Sequence, residues 1–261
     1  MYQIVTCIEI NSKYYLWPEW ELFECSSRGV HELKIDIQLH NQCEYGLEIL
    51  GNQPGKTVLK VADCLLAVNS DWTEAKITMF SHQIMPVHKL LNALILTHLS
   101  TRQAVEIHAS LIEVENRGIM FLGVSGIGKT TQAELWRDYR NAEIINGDRV
   151  FVKQEGNNFL GCGSPWHGSS AYCLNRQVPL LAMIILKQSK QNAIRRLTGF
   201  EMVSSVMNSV FLPSWYPKEY KAACDTLDGL LQTVPVYELS CRPDEDAVRL
   251  TEETIFKQEK L

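Results

Sequence analysis

The sequence lacks several features that would assign it to a familiar functional class. Its eight cysteines include no Cys-x-x-Cys pair, which argues against a zinc knuckle or a dithiol redox centre. Its longest apolar runs, such as residues 178–186, are too short to span a membrane. Lys and Arg number 25 against 30 for Asp and Glu, giving a net charge of −5, and no basic stretch stands out. We therefore expect no membrane insertion and no nucleic-acid partner.

The first residues contain neither a basic segment nor an apolar segment behind it, so we expect no secretion signal. The scattered thiols suit a reducing compartment, so we expect a cytoplasmic protein. With 261 residues, 46% of them hydrophobic, the chain can bury a substantial core in one large domain or two modest ones. Assembly into a homo-oligomer stays open.

Residues 1–81 read as a β-rich N-terminal region without a catalytic cluster. Short β-branched or aromatic segments predict strands at 5–10, 14–17, 35–39, 58–68 and 75–80, with a turn at 52–55. Apolar residues at helical spacing then predict a helix over residues 82–101, where we interpret His88 and His98 as ordinary helix residues. We place the start of the second domain, residues 82–261, at this helix.

Residues 123–130 have the P-loop pattern, two glycines followed by Lys and Thr, between a predicted strand and a predicted helix. Glycines let successive N–H groups point at an anion, and the following helix adds its positive N-terminus. The alternative is an ordinary glycine-rich turn. We predict that a nucleoside triphosphate, ATP or GTP, binds to Gly123, Val124, Ser125, Gly126, Ile127, Gly128, Lys129, Thr130 and Thr131, with the Thr130 hydroxyl on Mg²⁺.

A strand at 105–114 and a turn at 115–118 precede the P-loop strand, which predicts a hairpin. With the turn centred on Asn116 and Arg117, Val114 pairs with Ile119. His108 then falls opposite Ser125, at the mouth of the phosphate loop. We therefore single out His108, the alternative being a histidine that merely packs beneath the loop.

A carboxylate follows the next predicted strand, residues 142–146, at Asp148. An aspartate at this place, one crossover after a P-loop, is expected to bind magnesium. The alternative is a plain turn residue, because Asn-Gly-Asp is a turn-prone sequence.

The loop 161–170 combines three glycines, a proline and three serines with Trp166 and His167. Such a loop is either a surface turn or a functional segment, and we predict acceptor contacts from Trp166, His167, Arg149 and Arg176. Beyond it we predict a buried strand at 178–187 and helices at 200–211 and 216–231. A strand at 234–239 follows, placed at a sheet edge by Pro235, and a last helix opens at Pro243.

The combination of motifs resembles a known family. His108-Ala-Ser, the turn ending at Gly118, the P-loop and Asn146-Gly-Asp-Arg-Val are similar to the catalytic domain of HPr kinase/phosphorylase. The similarity is greater to the short bacterial HPr-kinase-like proteins, often labelled as related to ATP-dependent phosphoenolpyruvate carboxykinase, some of which phosphorylate ribosomally made peptides. It covers roughly residues 60–250.

This resemblance implies an α/β fold of α+β character, with a mixed-sheet P-loop core, and transfer of the ATP γ-phosphoryl group to a serine-type hydroxyl. It implies that Thr130 and Asp148 hold Mg²⁺ and that His108 lies beside the transferring group. The family usually has an Asp pair where this chain has Gly147-Asp148, so the general base is either Asp148 or His108. Its distal arginine corresponds to Arg149, Arg176 or Arg195.

Three functions follow as hypotheses. The first is an ATP-dependent kinase, with Lys129, His108 and Asp148 as catalytic residues and a hydroxyl-bearing peptide, protein or small molecule as acceptor. The second is a nucleotide-binding regulatory or scaffold protein with impaired catalysis, which the single aspartate favours. The third, a lyase acting on phosphoenolpyruvate, would need a dedicated Mn²⁺ site with further Lys and His ligands, and we rank it last.

Overall fold

The computed structural model describes residues 1–12, 16–25, 31–39 and 56–257. The chain forms two compact units, Met1–Arg102 and Gln103–Leu261. The helix predicted over residues 82–101, where the sequence analysis placed the start of the second domain, lies in the first unit. Among the described helices, none has the length and apolar character needed to cross a membrane.

The first unit is a mixed sheet with a helix packed against it. In its described part the elements are β1 (Tyr2–Ile4), β2 (Thr6–Ser12), a 3-10 helix (Pro18–Phe23), β3 (Leu33–Leu39), β4 (Lys56–Val61), β5 (Cys64–Asn69), β6 (Glu74–Met79) and α1 (Ile84–Ser100). The strand order is β1-β2-β3-β6-β5-β4, with β3 parallel to both of its neighbours. Helix α1 packs against β4, β5 and β6.

Alternation explains why these segments are strands. Leu33, Ile35 and Ile37 are buried on one side of β3. Leu66 and Val68 are likewise buried on one side of β5. Residues 58–68, predicted as one strand, form the antiparallel pair β4 and β5 instead, because Ala62 has φ of 51° and turns the chain back. The turn predicted at 52–55 lies outside the described residues, as do residues 14 and 15 of the predicted strand 14–17.

The second unit is built on a nine-stranded sheet. Its elements are β7 (Ala104–Val114), β8 (Arg117–Leu122), α2 (Lys129–Arg140), β9 (Glu143–Asn146), β10 (Arg149–Glu155), β11 (Asn158–Cys162), β12 (Gln177–Gln188), β13 (Ala193–Arg196), α3 (Gly199–Met207), β14 (Val210–Phe211), α4 (Pro217–Thr233), β15 (Val236–Cys241) and α5 (Glu245–Lys257). The main strand order is β11-β10-β7-β8-β12-β15-β13. The chain is thus a mixed α/β protein with two mixed sheets.

The long strand β7 organises this sheet because its partners change along its length. Its first half pairs with β10 and β14, and its second half pairs with β8 and β9. The change falls at His108, which is paired with Arg149, whereas the next residue, Ala109, is paired with Leu122. His108 therefore lies where β8 ends and the P-loop begins.

Both faces of the sheet are apolar. Val105, Ile107, Ala109 and Leu111 of β7 belong to a core cluster that includes residues of α3 and α4. Ile112 and Val114 belong to the opposite cluster, with residues of α2 and α5. Because side chains alternate along a strand, the even-numbered His108 lies on the face covered by α2, the helix that follows the P-loop.

The hairpin register differs from the prediction by two residues. Val114 pairs with Arg117, and the turn is Glu115-Asn116, both with positive φ (51° and 60°) as a two-residue hairpin turn requires. The predicted pairing of Val114 with Ile119, and hence of His108 with Ser125, is wrong. A shift of two residues leaves side chains on their original faces, so His108 still points to the side of the P-loop helix.

Two further predictions in this unit are wrong. Helix α3 ends at Met207, and Val210–Phe211 then leaves the helical path to pair with Ile107 and Glu106 of β7. Strand β15 is internal, between β12 and β13. Pro235 is compatible with this position because it precedes the strand and contributes only its carbonyl, which accepts a hydrogen bond from the Met183 N–H.

Candidate active site

The P-loop connects the end of β8 to the start of α2. Gly126 and Gly128 have φ of 78° and 113°, and a Cβ on either would meet no atom within 4 Å. The requirement for glycine is therefore one of backbone conformation and not of space. No side chain caps the N-terminus of α2, and its first turn contains no acidic residue. These features leave the loop and the helix N-terminus suited to an anion.

An open cavity of about 480 Å³ lies against this loop. It is lined by His108, Ser125, Gly126, Gly128, Lys129, Thr130, Thr131, Gly147, Asp148, His167, Ser169 and Ser170, and we call it the P-loop cavity. The other three predicted loop residues have different positions. Gly123 and Val124 turn their carbonyl groups to Lys129, and Ile127 packs against the core on the α2 face.

His108 links the P-loop lysine to the aspartate. Its Nε2 lies 2.9 Å from Nζ of Lys129. Its Nδ1 lies 3.1 Å from both the Oδ1 atom and the backbone oxygen of Asp148. The three predicted catalytic side chains are therefore in one line of contacts, and all three border the P-loop cavity.

The donors and acceptors in this line fix the histidine tautomer. The ammonium group of Lys129 has three N–H donors, and its three acceptors are the carbonyl oxygens of Gly123 (3.0 Å) and Val124 (3.2 Å) and the His108 ring. An ammonium group cannot accept a hydrogen bond, so Nε2 of His108 carries the lone pair. The proton of the neutral ring is then on Nδ1, which donates to Asp148.

Both charged members of this line have shifted pKa values. The hydrogen bond from His108 is the largest influence on Asp148 and holds the pKa of that carboxyl below its usual value, although burial opposes the shift. Burial lowers the pKa of Lys129, whose side chain is almost completely enclosed, and the charge of Asp148 opposes that change. Asp148 is consequently a carboxylate at neutral pH.

The loop that follows β11 packs directly on the Gly147-Asp148 corner, a contact that the sequence did not predict. A Cβ on Gly147 would lie 1.9 Å from Oγ of Ser170, so the serine hydroxyl fills the space of a side chain at position 147. A Cβ on Gly168 would lie 2.7 Å from Oδ2 of Asp148. Two glycines without side chains thus allow the loop to close over the aspartate.

Trp166 and His167 occupy different environments. Trp166 is buried, with its ring edge-on to Phe151 at 6.3 Å, and anchors the loop in the core. His167 borders the P-loop cavity, and its Nδ1 contacts the backbone oxygen of Ser170. Of this pair of predicted acceptor contacts, only His167 lies at the cavity.

The arginines predicted for the site form ion pairs with carboxylates. Nε of Arg149 lies 3.9 Å from Oδ2 of Asp148, at the edge of the P-loop cavity. Arg149 binds the fully buried Glu106 at 2.6 Å and lies over the Phe211 ring at 4.4 Å. Arg176 binds Glu113 and Glu143. Because Glu113 is five residues along β7 from His108, roughly 16 Å away at the usual rise of a strand, the structure does not bring Arg176 to the cavity.

Arg195 forms ion pairs with Glu201 and Glu238, and neither of these residues lines the P-loop cavity. A larger groove of about 680 Å³ lies beyond β12 and β15, where Lys190, Asn192, Arg242 and Arg249 are among the residues lining it. It contains neither the P-loop nor the His108–Asp148 pair, so we place the candidate chemistry in the smaller cavity.

No protein-family model matches the chain, and no curated protein matches it. Among solved structures, the chain is similar to the Hpr(Ser) kinase/phosphatase from Coxiella burnetii, with 13% sequence identity over 59% of this chain and 95% of that one. The TM-score of this match is 0.35.

The donor set at the cavity suits a magnesium ion that arrives with phosphate. In the part of the chain that the structure describes, no three His, Cys, Asp or Glu side chains lie together as a metal site. Thr130 and Asp148 both border the cavity, and one carboxylate with one hydroxyl is what Mg²⁺ takes from a protein when phosphate and water supply its other ligands.

Proposed function

We propose that the chain is an ATP-dependent kinase that transfers the γ-phosphoryl group to a serine-type hydroxyl of a peptide, protein or small molecule. The observation that carries the proposal is the line Lys129–His108–Asp148 at the wall of a glycine-rich phosphate loop. A phosphate loop alone indicates nucleotide binding. A carboxylate and an oriented imidazole beside it add the means to take a proton from an attacking hydroxyl.

Phosphate binding would use the loop amides, the N-terminus of α2 and Lys129. The lysine is turned toward its own loop carbonyls and His108. Phosphate oxygens are stronger acceptors for an ammonium group than neutral carbonyls are. Nucleotide binding is therefore expected to draw Nζ away from His108 and to leave the ring nitrogen Nε2 available.

His108 is the better placed proton acceptor of the two alternatives. Nε2 carries a lone pair once Lys129 has moved, and Asp148 holds the ring from the other side through Nδ1. Asp148 is a poor proton acceptor because the hydrogen bond from His108 lowers the pKa of its carboxyl group. In the proposed step the acceptor oxygen bonds to the γ-phosphorus, the bond to the β-phosphate oxygen breaks, ADP leaves with the electron pair, and the hydroxyl proton passes to His108.

Magnesium would be held by Thr130 and Asp148, and when bound it would offset the negative charge of the phosphate oxygens. Asp148 would then have two tasks, since one carboxylate would both orient His108 and bind the metal. This double use is consistent with the absence of a second acidic side chain at Gly147, where Ser170 occupies the space.

The proposal is tested by incubating the protein with Mg²⁺ and γ-labelled ATP in the presence of serine-containing peptides and small alcohols. We expect label in a phosphate ester, and we expect Lys129→Met to abolish it. The Lys218→Met variant changes an exposed lysine at the start of α4 and serves as the control, which should transfer label normally.

A second candidate is a nucleotide-binding regulatory or scaffold protein. The observation in its favour is that Asp148 is paired with His108, which in turn contacts Lys129, and no other carboxylate among the described residues lines the cavity. Tight ATP binding without any ADP formation or label transfer would favour this candidate over the kinase.

A further inference from the structure

A serine of the chain itself is presented to the P-loop cavity. The segment from His167 to Ser170 is a tight turn, closed by a hydrogen bond from the Ser170 N–H to the His167 carbonyl (3.0 Å) and by the contact of the His167 ring with the Ser170 carbonyl. Gly168, the first central residue of the turn, has φ of 59°. A positive φ at this position is common only for glycine and a few polar residues. Ser169 is therefore at the tip of the turn, exposed, and borders the cavity.

Both neighbours of Ser169 are packed against the Gly147-Asp148 corner. Gly168 lies against the Asp148 carboxylate, and Ser170 lies against Gly147. The buried Trp166 fixes the start of the segment. With both sides held, the packing of its neighbours fixes the backbone of Ser169 at the edge of the P-loop cavity.

We infer that Ser169 is a phosphoryl acceptor and that the chain phosphorylates itself at this residue. The inference rests on the proposed kinase function. Ser169 is preferred to Ser170 because the Ser170 hydroxyl already accepts a hydrogen bond from the Tyr172 N–H (3.2 Å) and is wedged against Gly147, whereas the exposed Ser169 has room for a phosphate group.

The reaction uses the same step as transfer to an external acceptor. Oγ of Ser169 bonds to the γ-phosphorus of ATP, the bond to the β-phosphate oxygen breaks, ADP leaves with the electron pair, and the serine proton passes to His108. The product carries its phosphate beside the anion-binding loop. Phosphorylation should therefore stop at one group per chain and should weaken the binding of a second ATP, because two phosphate groups would compete for one site.

The experiment uses the full chain with Mg²⁺ and γ-labelled ATP, followed by intact mass measurement and peptide mapping. We expect one phosphate, at Ser169, and a loss of incorporation of at least about tenfold in Ser169→Ala, since a positioned intramolecular acceptor gains a large effective concentration. Ser214→Ala removes an exposed serine outside the cavity and should incorporate phosphate normally. Titration calorimetry should show that Ser169→Ala still binds ATP and that the phosphorylated chain binds it more weakly.

The mode of transfer is tested by mixing active chain with Lys129→Met chain of distinguishable mass. Labelling confined to the active chain, at a rate per chain independent of concentration, supports transfer within one molecule. Labelling of the Lys129→Met chain to the same extent would overturn it. ADP formation and transfer to added alcohols without phosphate at Ser169 would overturn the inference while leaving the kinase proposal standing. Absence of both ATP binding and ADP formation would overturn both.

Discussion

Nζ of Lys129 lies 2.9 Å from Nε2 of His108, and this contact joins the P-loop to Asp148, the one carboxylate that borders the P-loop cavity in the described part of the chain. The lysine is almost completely enclosed, and its three N–H donors point to two loop carbonyls and the histidine. In the proposed kinase, the cation that would bind phosphate and the base that would take the hydroxyl proton are therefore in contact with each other.

This contact predicts a measurable change when a nucleotide binds. Addition of a non-hydrolysable ATP analogue should move Lys129 toward phosphate and shift the ¹⁵N resonance of His108 Nε2. In Lys129→Met the histidine signal should already resemble the nucleotide-bound form, and ATP affinity should fall about 100-fold or more, in line with the loss of a charge-assisted phosphate contact. An unchanged His108 resonance in both experiments would mean that the lysine does not control the ring.

The packing of Ser170 on Gly147 predicts a specific pair of variants. Gly147→Ala places a methyl group 1.9 Å from the Ser170 hydroxyl, so we expect it to destabilise the second unit by about 1–3 kcal/mol through overpacking. Ser170→Gly should restore most of that stability, since it removes both atoms in conflict. Urea unfolding of the two single variants and the double variant measures the coupling. Full stability of Gly147→Ala alone would contradict the close approach.

Arg149 and Arg176 make a matched pair for separating structure from function. Arg149→Met removes the guanidinium that binds the fully buried Glu106, so we expect a loss of about 3 kcal/mol. Arg176→Met breaks ion pairs of a half-exposed side chain and should cost less than about 1 kcal/mol. Urea unfolding tests both. Full stability of Arg149→Met with lost acceptor affinity would instead support its assignment as an acceptor contact.

His88 in the first unit predicts an acid-sensitive stability. Its ring is stacked on Trp17 at 3.6 Å, and burial lowers its pKa from 6.5 to about 4. Above pH 6.5 the ring is neutral in both folded and unfolded chains. Between pH 6.5 and 4 only the unfolded chain takes up the proton, so up to about 3 kcal/mol of stability should be lost as the pH falls through this window.

Urea unfolding followed by tryptophan fluorescence at pH 7 and pH 4 measures this loss. In His88→Phe, which keeps an aromatic ring against Trp17, the difference between the two pH values should be smaller by most of that amount. His82→Gln changes an exposed histidine and is the control. The same pH dependence in His88→Phe and the wild-type chain would show that His88 does not titrate as expected.

The parts of the site that lie close in sequence were predictable from sequence alone. The strand, loop and helix around Lys129 follow from local pattern, and the hairpin brought His108 to the loop even though its register was two residues off. The register error arose because Glu115 and Asn116 both adopt positive φ, a conformation that glutamate rarely takes. Because the register error was an even number of residues, His108 stayed on the predicted face of the sheet, and its place beside the P-loop depends on that face.

Contacts between distant segments were not predictable in this way. The hydroxyl of Ser170 fills the space at Gly147 only because Trp166 is anchored in the core, and no local pattern encodes that docking. The serines of this loop and the glycine at 147 were visible in the sequence, but not their contact. Likewise Arg149 is held by Glu106, whose burial follows from the pairing of β7 with β10 and β14.

The central claim is that His108 and Asp148 turn a phosphate loop into a site for transfer to a hydroxyl. It is tested most directly by the rate of label transfer from γ-labelled ATP to a serine hydroxyl in the wild-type chain, His108→Gln and Asp148→Asn, with ATP affinity measured on the same samples. We predict transfer by the wild-type chain and a loss of roughly 10²–10⁴-fold in both variants, with folding and nucleotide binding retained. Undiminished transfer in both variants, or tight ATP binding by the wild-type chain without any transfer, would contradict it.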